Sequence, residues 1–229
     1  MRDTTPRVGF VGPGLVIALL TMIAALLLMG AVPTTAEGQE PRLVGRLPEA
    51  TKAQVDAILD GARLSGLPIE PLVDRALEGA AKGAPPALIL TAVARLRDEL
   101  KMARAAFGGT ASAGEIAAGA SAIRAGAKFK DLAELRRLRS GKQLTVAVAV
   151  LADLVSAGVP ADTATGAVLA LAGEADDADY VAFRRSVQQD IALGASPAAA
   201  LGVRLRSLAA MADNVPGGLQ STGRRKQKP

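Results

Sequence analysis

Five glycines punctuate this chain, and the residues just after each of them leave little room for any architecture other than helices. The segments are Gly66-Leu67-Pro68, Gly83-Ala84-Pro85, Gly126-Ala127-Lys128, Gly158-Val159-Pro160 and Gly194-Ala195-Ser196-Pro197. A glycine just past a helix takes the left-handed conformation, and an apolar residue after it folds back on the last turn. A proline then pre-sets the first turn of the following helix. Connections this short force consecutive helices to pack as neighbours. The glycines lie 17, 43, 32 and 36 residues apart, too uneven for a solenoid. The expectation is an all-α fold, an irregular array of about nine helices packed as helical hairpins, with a single bundle as the alternative.

Apolar periodicity fills the intervals. Thr51-x-x-Gln54 has the capping-box pattern, and Val55, Ile58, Leu59 and Ala62 follow on one face. Pro68 is expected to begin the next helix, with Leu72, Ala76, Leu77 and Ala80 facing inward until Gly83. Pro85-Pro86 restart the chain into a longer helix carrying Ile89, Val93, Leu96, Leu100, Ala103 and Phe107. Ser112-x-x-Glu115 is a second capping box, opening a helix with Ile116, Ala120 and Ile123. Phe129, Leu132, Leu135 and Leu138 mark the next. Leu144 to Val155 is apolar nearly all round and should be the most buried helix. Thr145 to Val150 alternates as a strand would, but the run continues helix-like through Leu151, Leu154 and Val155. Ala164, Ala167, Val168 and Leu171, then Tyr180, Phe183, Val187 and Ile191, then Leu201, Leu205, Leu208 and Ala212 complete the set. Alanine is about one residue in five of the 229. Such small side chains let helices approach closely but offer less apolar area to bury, so modest stability is expected.

The ends differ from the body. Arg2 and Arg7 precede an apolar run whose uninterrupted part, Leu15 to Val32, is 18 residues long. It reads either as a signal peptide cut between Ala36 and Glu37 or as an uncleaved anchor over residues 15–32. A buried core helix is the remaining reading. The first two place the rest of the chain across the inner membrane, periplasmic or secreted in one case and tethered in the other. The expected organisation is residues 1–36 as signal or anchor, 37–50 as linker, 51–213 as the helical domain and 214–229 as a disordered basic tail.

The formal charge of +5 belongs to those ends, since residues 37–223 hold 21 basic and 21 acidic side chains. Within the body the signs separate. Residues 124–142 are net +5, whereas residues 143–183 contain no Lys or Arg and are net −6. The two stretches read either as faces that attract each other within the fold or as a docking surface. The candidate interaction residues are Arg136, Arg137, Arg139 and Lys142 on one side and Asp176, Asp177 and Asp179 on the other. Arg224, Arg225, Lys226 and Lys228 in the tail suit an anionic membrane surface, or simply solubility. Nucleic acid is not an expected partner, because only Phe107, Phe129, Tyr180 and Phe183 are available beyond residue 36 for base stacking.

Much chemistry is excluded by what is absent. The sequence has no His, Cys or Trp, so it has no imidazole base, thiolate nucleophile, disulfide or His/Cys metal site. Glu174-Ala-Asp176-Asp177-Ala-Asp179 is the densest acidic cluster, but it lacks the internal Gly and later Glu of a calcium loop and fits a helix N-cap better. Ser140 near Lys142 lies at a helix break without the S-x-x-K spacing. Gly108-Gly109-Thr110 lacks the phosphate-loop spacing and reads as a helix terminator. No catalytic, cofactor or metal residues are therefore expected. The leading expectation is a non-enzymatic interaction or scaffolding module of the cell envelope. The alternatives are a carrier of small apolar ligands in an interhelical cavity and a carboxylate-based hydrolase.

Overall fold

In the computed structural model residues 40–213 are described, and every regular element among them is helical. The signal or anchor segment 15–32, the Ala36–Glu37 cleavage point and the tail from residue 214 lie outside the described residues. A short 3-10 turn, Pro41–Leu43, is followed by α1 (Glu49–Leu64), α2 (Glu70–Ala81), α3 (Pro86–Phe107), α4 (Ala113–Ala125) and α5 (Phe129–Leu138). Then come α6 (Thr145–Ser156), α7 (Ala161–Leu171), α8 (Asp177–Ala192) and α9 (Pro197–Asp213).

The turn hydrogen bonds repeat. At Gly66, where φ is +63°, the Gly66 N–H donates to Arg63 O at 2.9 Å and the Leu67 N–H reaches back to Ala62 O at 2.9 Å. This pair satisfies two carbonyls that the end of a helix otherwise leaves open. The reaching-back bond recurs as Ala84 to Gly79, Ala127 to Ala122, Val159 to Leu154 and Ala195 to Asp190, at 2.9 to 3.1 Å. Leu67, Ala127 and Val159 are buried by it.

Two helices organise the packing. α3 lies against α1, α2, α4 and α5, and α6 lies against α4, α7 and α8. The α4–α6 contact joins the halves, and α9 rests on α8 and α7. All six expected inward residues of α3, from Ile89 to Phe107, are buried. In α6, Ala147, Val148, Val150, Leu151 and Leu154 are buried, consistent with a helix apolar on most sides. Small residues set the closest approaches. An added Cβ at Gly119 of α4 would lie 2.6 Å from the Phe107 ring and 2.7 Å from the Ala103 methyl of α3.

Several local expectations shift. The first helix begins at Glu49 rather than Thr51, with Pro48 as its N-cap. Pro48 O accepts from the N–H of both Thr51 and Lys52, and Thr51 is buried inside the first turn instead of capping it. Pro68 stays in the turn, α2 starts at Glu70, and Pro71 occupies its first turn. Phe129 and Leu138 are 45% and 37% exposed, while Leu132 and Leu135 between them are buried. A strict three-residue spacing loses about 60° per step against the 3.6-residue helix, so both ends of such a row rotate off the core. Residues 40–48 also pack on the helices. Leu43 and Leu47 are buried, the Glu40 N–H donates to Asp56, and Arg42 bridges Glu40 and Glu70.

Candidate functional site

The charged stretches meet where the end of α5, the α5–α6 turn and the start of α8 come together. Glu115 organises one side of this region. It is the third residue of the Ser112 capping box, so its carboxylate accepts from the Ser112 N–H at 2.8 Å. The other oxygen accepts from the Leu144 N–H at 2.9 Å and from Arg136 at 2.5 Å. One carboxylate thereby fixes the start of α4, the end of α5 and the entry to α6. Burial favours its neutral form, but the Ser112 and Leu144 N–H groups and the Arg136 guanidinium outweigh that, and its pKa falls below the ordinary range. Arg136 also donates to Lys142 O at 3.1 Å and lies 5.8 Å from the centre of the Phe107 ring.

Arg139 organises the other side and is only 3% exposed. Its guanidinium donates to Ala175 O at 2.7 Å and to Asp177 at 3.1 Å, and it stacks 5.0 Å from the centre of the Tyr180 ring. Tyr180 in turn donates its hydroxyl to Val168 O at 3.1 Å. That carbonyl lies in the last turn of α7, where the Ala172 N–H has turned to Leu169 O. The tyrosine thus supplies a donor to an end-of-helix acceptor. Desolvation pushes its phenol pKa up.

The structure therefore draws the two sets of candidate residues together, with different roles. Arg136 and Arg139 are engaged inside the fold. Arg137 is exposed and paired with Glu134 at 2.6 Å on its own helix. The Lys142 ammonium makes no ion pair among the described residues. Asp176 and Asp179 form a reciprocal capping box at the start of α8, each accepting the other's backbone N–H at 2.9 Å. The Asp179 N–H holds the Asp176 carboxyl below its usual pKa.

Two adjoining depressions cover this meeting point. One, about 510 Å³, is lined by Arg139, Lys142, Gln143, Asp176, Asp177 and Ala178. The other, about 440 Å³, shares Asp177 and Ala178 and continues past Val146, Val181 and Arg185. Arg185, like Lys142, has no ion-pair partner among the described residues. The surface thus offers free cations on both sides of the α8 N-terminal carboxylates, with small apolar side chains between. Val146, Ala178, Val181 and Arg185 were not singled out by the sequence, because their place depends on α6 packing beside α8. A third and larger space, about 770 Å³, is a groove where the end of α7, the middle of α8 and the second half of α9 meet.

Among the described residues no group of three or more acidic side chains is placed to hold a metal ion. Nor is any helix there long and apolar enough to cross a membrane. Compared with known proteins, the chain matches no family model, no curated protein and no solved structure.

Proposed function

We propose that this chain is a non-enzymatic protein-interaction module of the cell envelope, exported or tethered by its N-terminal apolar segment. Its docking face is formed by the α5–α6 turn and the start of α8. The observation that supports this reading is the convergence of the charged stretches on one shallow surface, where Lys142 and Arg185, without ion pairs among the described residues, stand beside the Asp176 and Asp177 carboxylates. Shallow, mixed-charge surfaces suit a macromolecular partner, whereas small molecules are held in concave, mostly apolar sites.

The specific form we favour is pairing with a second copy. A face with cations beside anions is self-complementary under two-fold rotation, since Lys142 or Arg185 of one copy meets Asp176 or Asp177 of the other. Sedimentation equilibrium of the chain across about 50 to 500 mM salt tests it. Dimers at low salt that dissociate at high salt, and that are lost in Lys142→Glu with Arg185→Glu, are expected. Monomers at every salt concentration would exclude self-pairing. A photo-crosslinker at Ala178 in intact cells then tests a different protein partner. No crosslinked product there, together with monomers throughout, would end the interaction reading.

A further inference from the structure

Another depression, of about 400 Å³, lies where the ends of α1 and α3 meet, and Ser65, Lys101, Arg104, Gly108 and Gly109 are among the residues that line it. It shares no lining residue with the proposed docking face. Its charge is of one sign. Lys101 is exposed and Arg104 half-buried. They stand one turn apart on α3, a spacing at which like charges repel. Neither makes an ion pair among the described residues, and no carboxylate lines the depression. Earlier on the same helix, Arg95 and Arg97 are paired with Glu99 and Asp98. The end of α3 departs from that pattern: it holds two cations side by side and supplies no anion for them.

Capping of the two helix ends does not account for these cations. Ala62 O and Arg63 O at the end of α1 accept from the Leu67 and Gly66 N–H groups, and Arg104 O at the end of α3 accepts from the Gly108 N–H, each at 2.9 Å. Arg104 donates one of its five N–H groups to Gly66 O, and no described acceptor takes the others. That bond holds the guanidinium against Gly66, where an added Cβ would stand 2.8 Å from Nη1 and 3.1 Å from Cζ. Gly108 and Gly109 put no side chain on the rim, and the Gly109 N–H donates to no described acceptor. Ser65 Oγ commits its proton to Gly61 O at 2.8 Å, so it is not one of the free donors. The depression therefore offers a held guanidinium, an ammonium and a backbone N–H. We propose that it binds a phosphate group in its dianionic form. A phosphate monoester carries about −1.5 to −2 charge at pH 7 and three acceptor oxygens, which match two cations and three donors. A carboxylate brings one charge and two oxygens, and would leave one cation unmatched. Two sources share this chemistry, a soluble phosphate monoester and a phosphatidic acid headgroup.

Nitrogen–proton correlation spectra of the full chain, titrated with inorganic phosphate at neutral pH and about 50 mM salt, test the site. Saturable shifts centred on Lys101, Arg104 and Gly109 are expected. Lys101→Glu should weaken the binding by about tenfold or more, because it replaces a charge-assisted donor with a repelling carboxylate. Lys130→Glu changes the net charge equally at an exposed lysine that also lacks an ion pair among the described residues, and should leave the affinity within about twofold. Both lysines are exposed, so the circular dichroism of both variants should match that of the unaltered chain. Shifts that never saturate, or equal losses in the two variants, would overturn the proposal, since the anion would then be responding to net charge alone. Flotation with phosphatidylcholine vesicles containing or lacking phosphatidic acid then separates the two sources. Flotation that requires phosphatidic acid and falls with Lys101→Glu assigns the lipid headgroup. Flotation indifferent to that change, beside Lys101-dependent binding of phosphate in solution, assigns a soluble monoester.

Discussion

Replacing Gly119 by Ala tests whether α3 and α4 approach as closely as the structure has them. The substitution has two opposed effects. Alanine lowers the entropic cost of helix formation, a gain of about 0.5–1 kcal/mol in a helix interior. The new methyl, however, would stand 2.6 Å from Phe107 Cε2 and 2.7 Å from the Ala103 Cβ. Carbon atoms in good contact sit about 3.5–4.0 Å apart, so each overlap is close to 1 Å. The Ala103 methyl is fixed to its backbone and cannot rotate away, so α3 and α4 have to separate. Overpacking of this kind costs about 1–3 kcal/mol. The clash wins, and a net loss of about 1–2 kcal/mol is expected, or roughly 3–6 °C in Tm for a domain of this size.

Gly61→Ala in α1 is the matched control. Beyond the adjacent residues and the backbone of α1 itself, nothing lies within 4 Å of its added methyl, so only the helix gain operates, and Tm should rise by about 2 °C. Thermal and urea melts of the two variants at neutral pH give the comparison. Ala103→Gly added to Gly119→Ala removes one overlap, and the double-mutant cycle should show favourable coupling of about 1 kcal/mol. A Gly119→Ala protein as stable as the Gly61→Ala protein, with no coupling to Ala103, would refute the close approach and the argument that small residues set this packing.

The remaining predictions concern the junction beneath the proposed docking face. Glu115→Ala should cost about 3 kcal/mol, because Arg136 loses its partner and the Leu144 N–H is left unsatisfied. Chemical denaturation would measure the loss, and a cost below about 1 kcal/mol would argue against Glu115 as the common tie of α4, α5 and α6. The folded-state pKa of Glu115 is depressed, so near that pKa the unfolded chain binds more protons and stability rises with pH. Its contribution is present above the ordinary carboxylate pKa of about 4.3 and is lost as pH falls through the lowered value. Glu115→Gln should therefore flatten the acid side of the stability profile, and an unchanged acid slope would contradict the assignment. Tyr180→Phe removes the donor to Val168 O and should cost about 1–2 kcal/mol, read from the same melts. Arg139→Lys should cost more, since lysine cannot serve Ala175 O and Asp177 together while stacking on Tyr180.

What was legible in the sequence was local. Gly66 followed by Leu67 announces a helix end because the left-handed residue and the apolar residue that folds back are adjacent in the chain. Ser112 and Glu115 announce a helix start for the same reason. Tyr180, Phe183 and Val187 trace a buried face because they sit on a single helix. The structure departs from these local signals where a neighbour in space decides the outcome. Thr51 looks like a cap, but Pro48 starts the helix earlier and Thr51 turns into the core. Phe129 looks like core, but the packing of α5 is centred on Leu132 and Leu135. Gly119 reads as an ordinary small residue until the Phe107 ring is seen against it.

The charged surface obeys the same division. The basic stretch is visible at once in the sequence, but its partners are 21 to 38 residues away, as with Arg136 to Glu115, Arg124 to Glu99, Lys128 to Asp162 and Arg139 to Asp177. Folding turns most of that apparent surface charge into ties between helices, leaving Lys130 and Lys142 without ion pairs among the described residues. Raw charge density along the chain therefore overstates what faces outward and misses Arg185, which joins the face only because α8 packs beside α6. If a partner docks here, its affinity should depend more on Lys142 and Arg185 than on Arg136 or Arg139. Substituting the latter pair should weaken binding only to the extent that it unfolds the junction. Comparing binding with stability across the four substitutions separates a contact that recognises a partner from one that merely builds the surface.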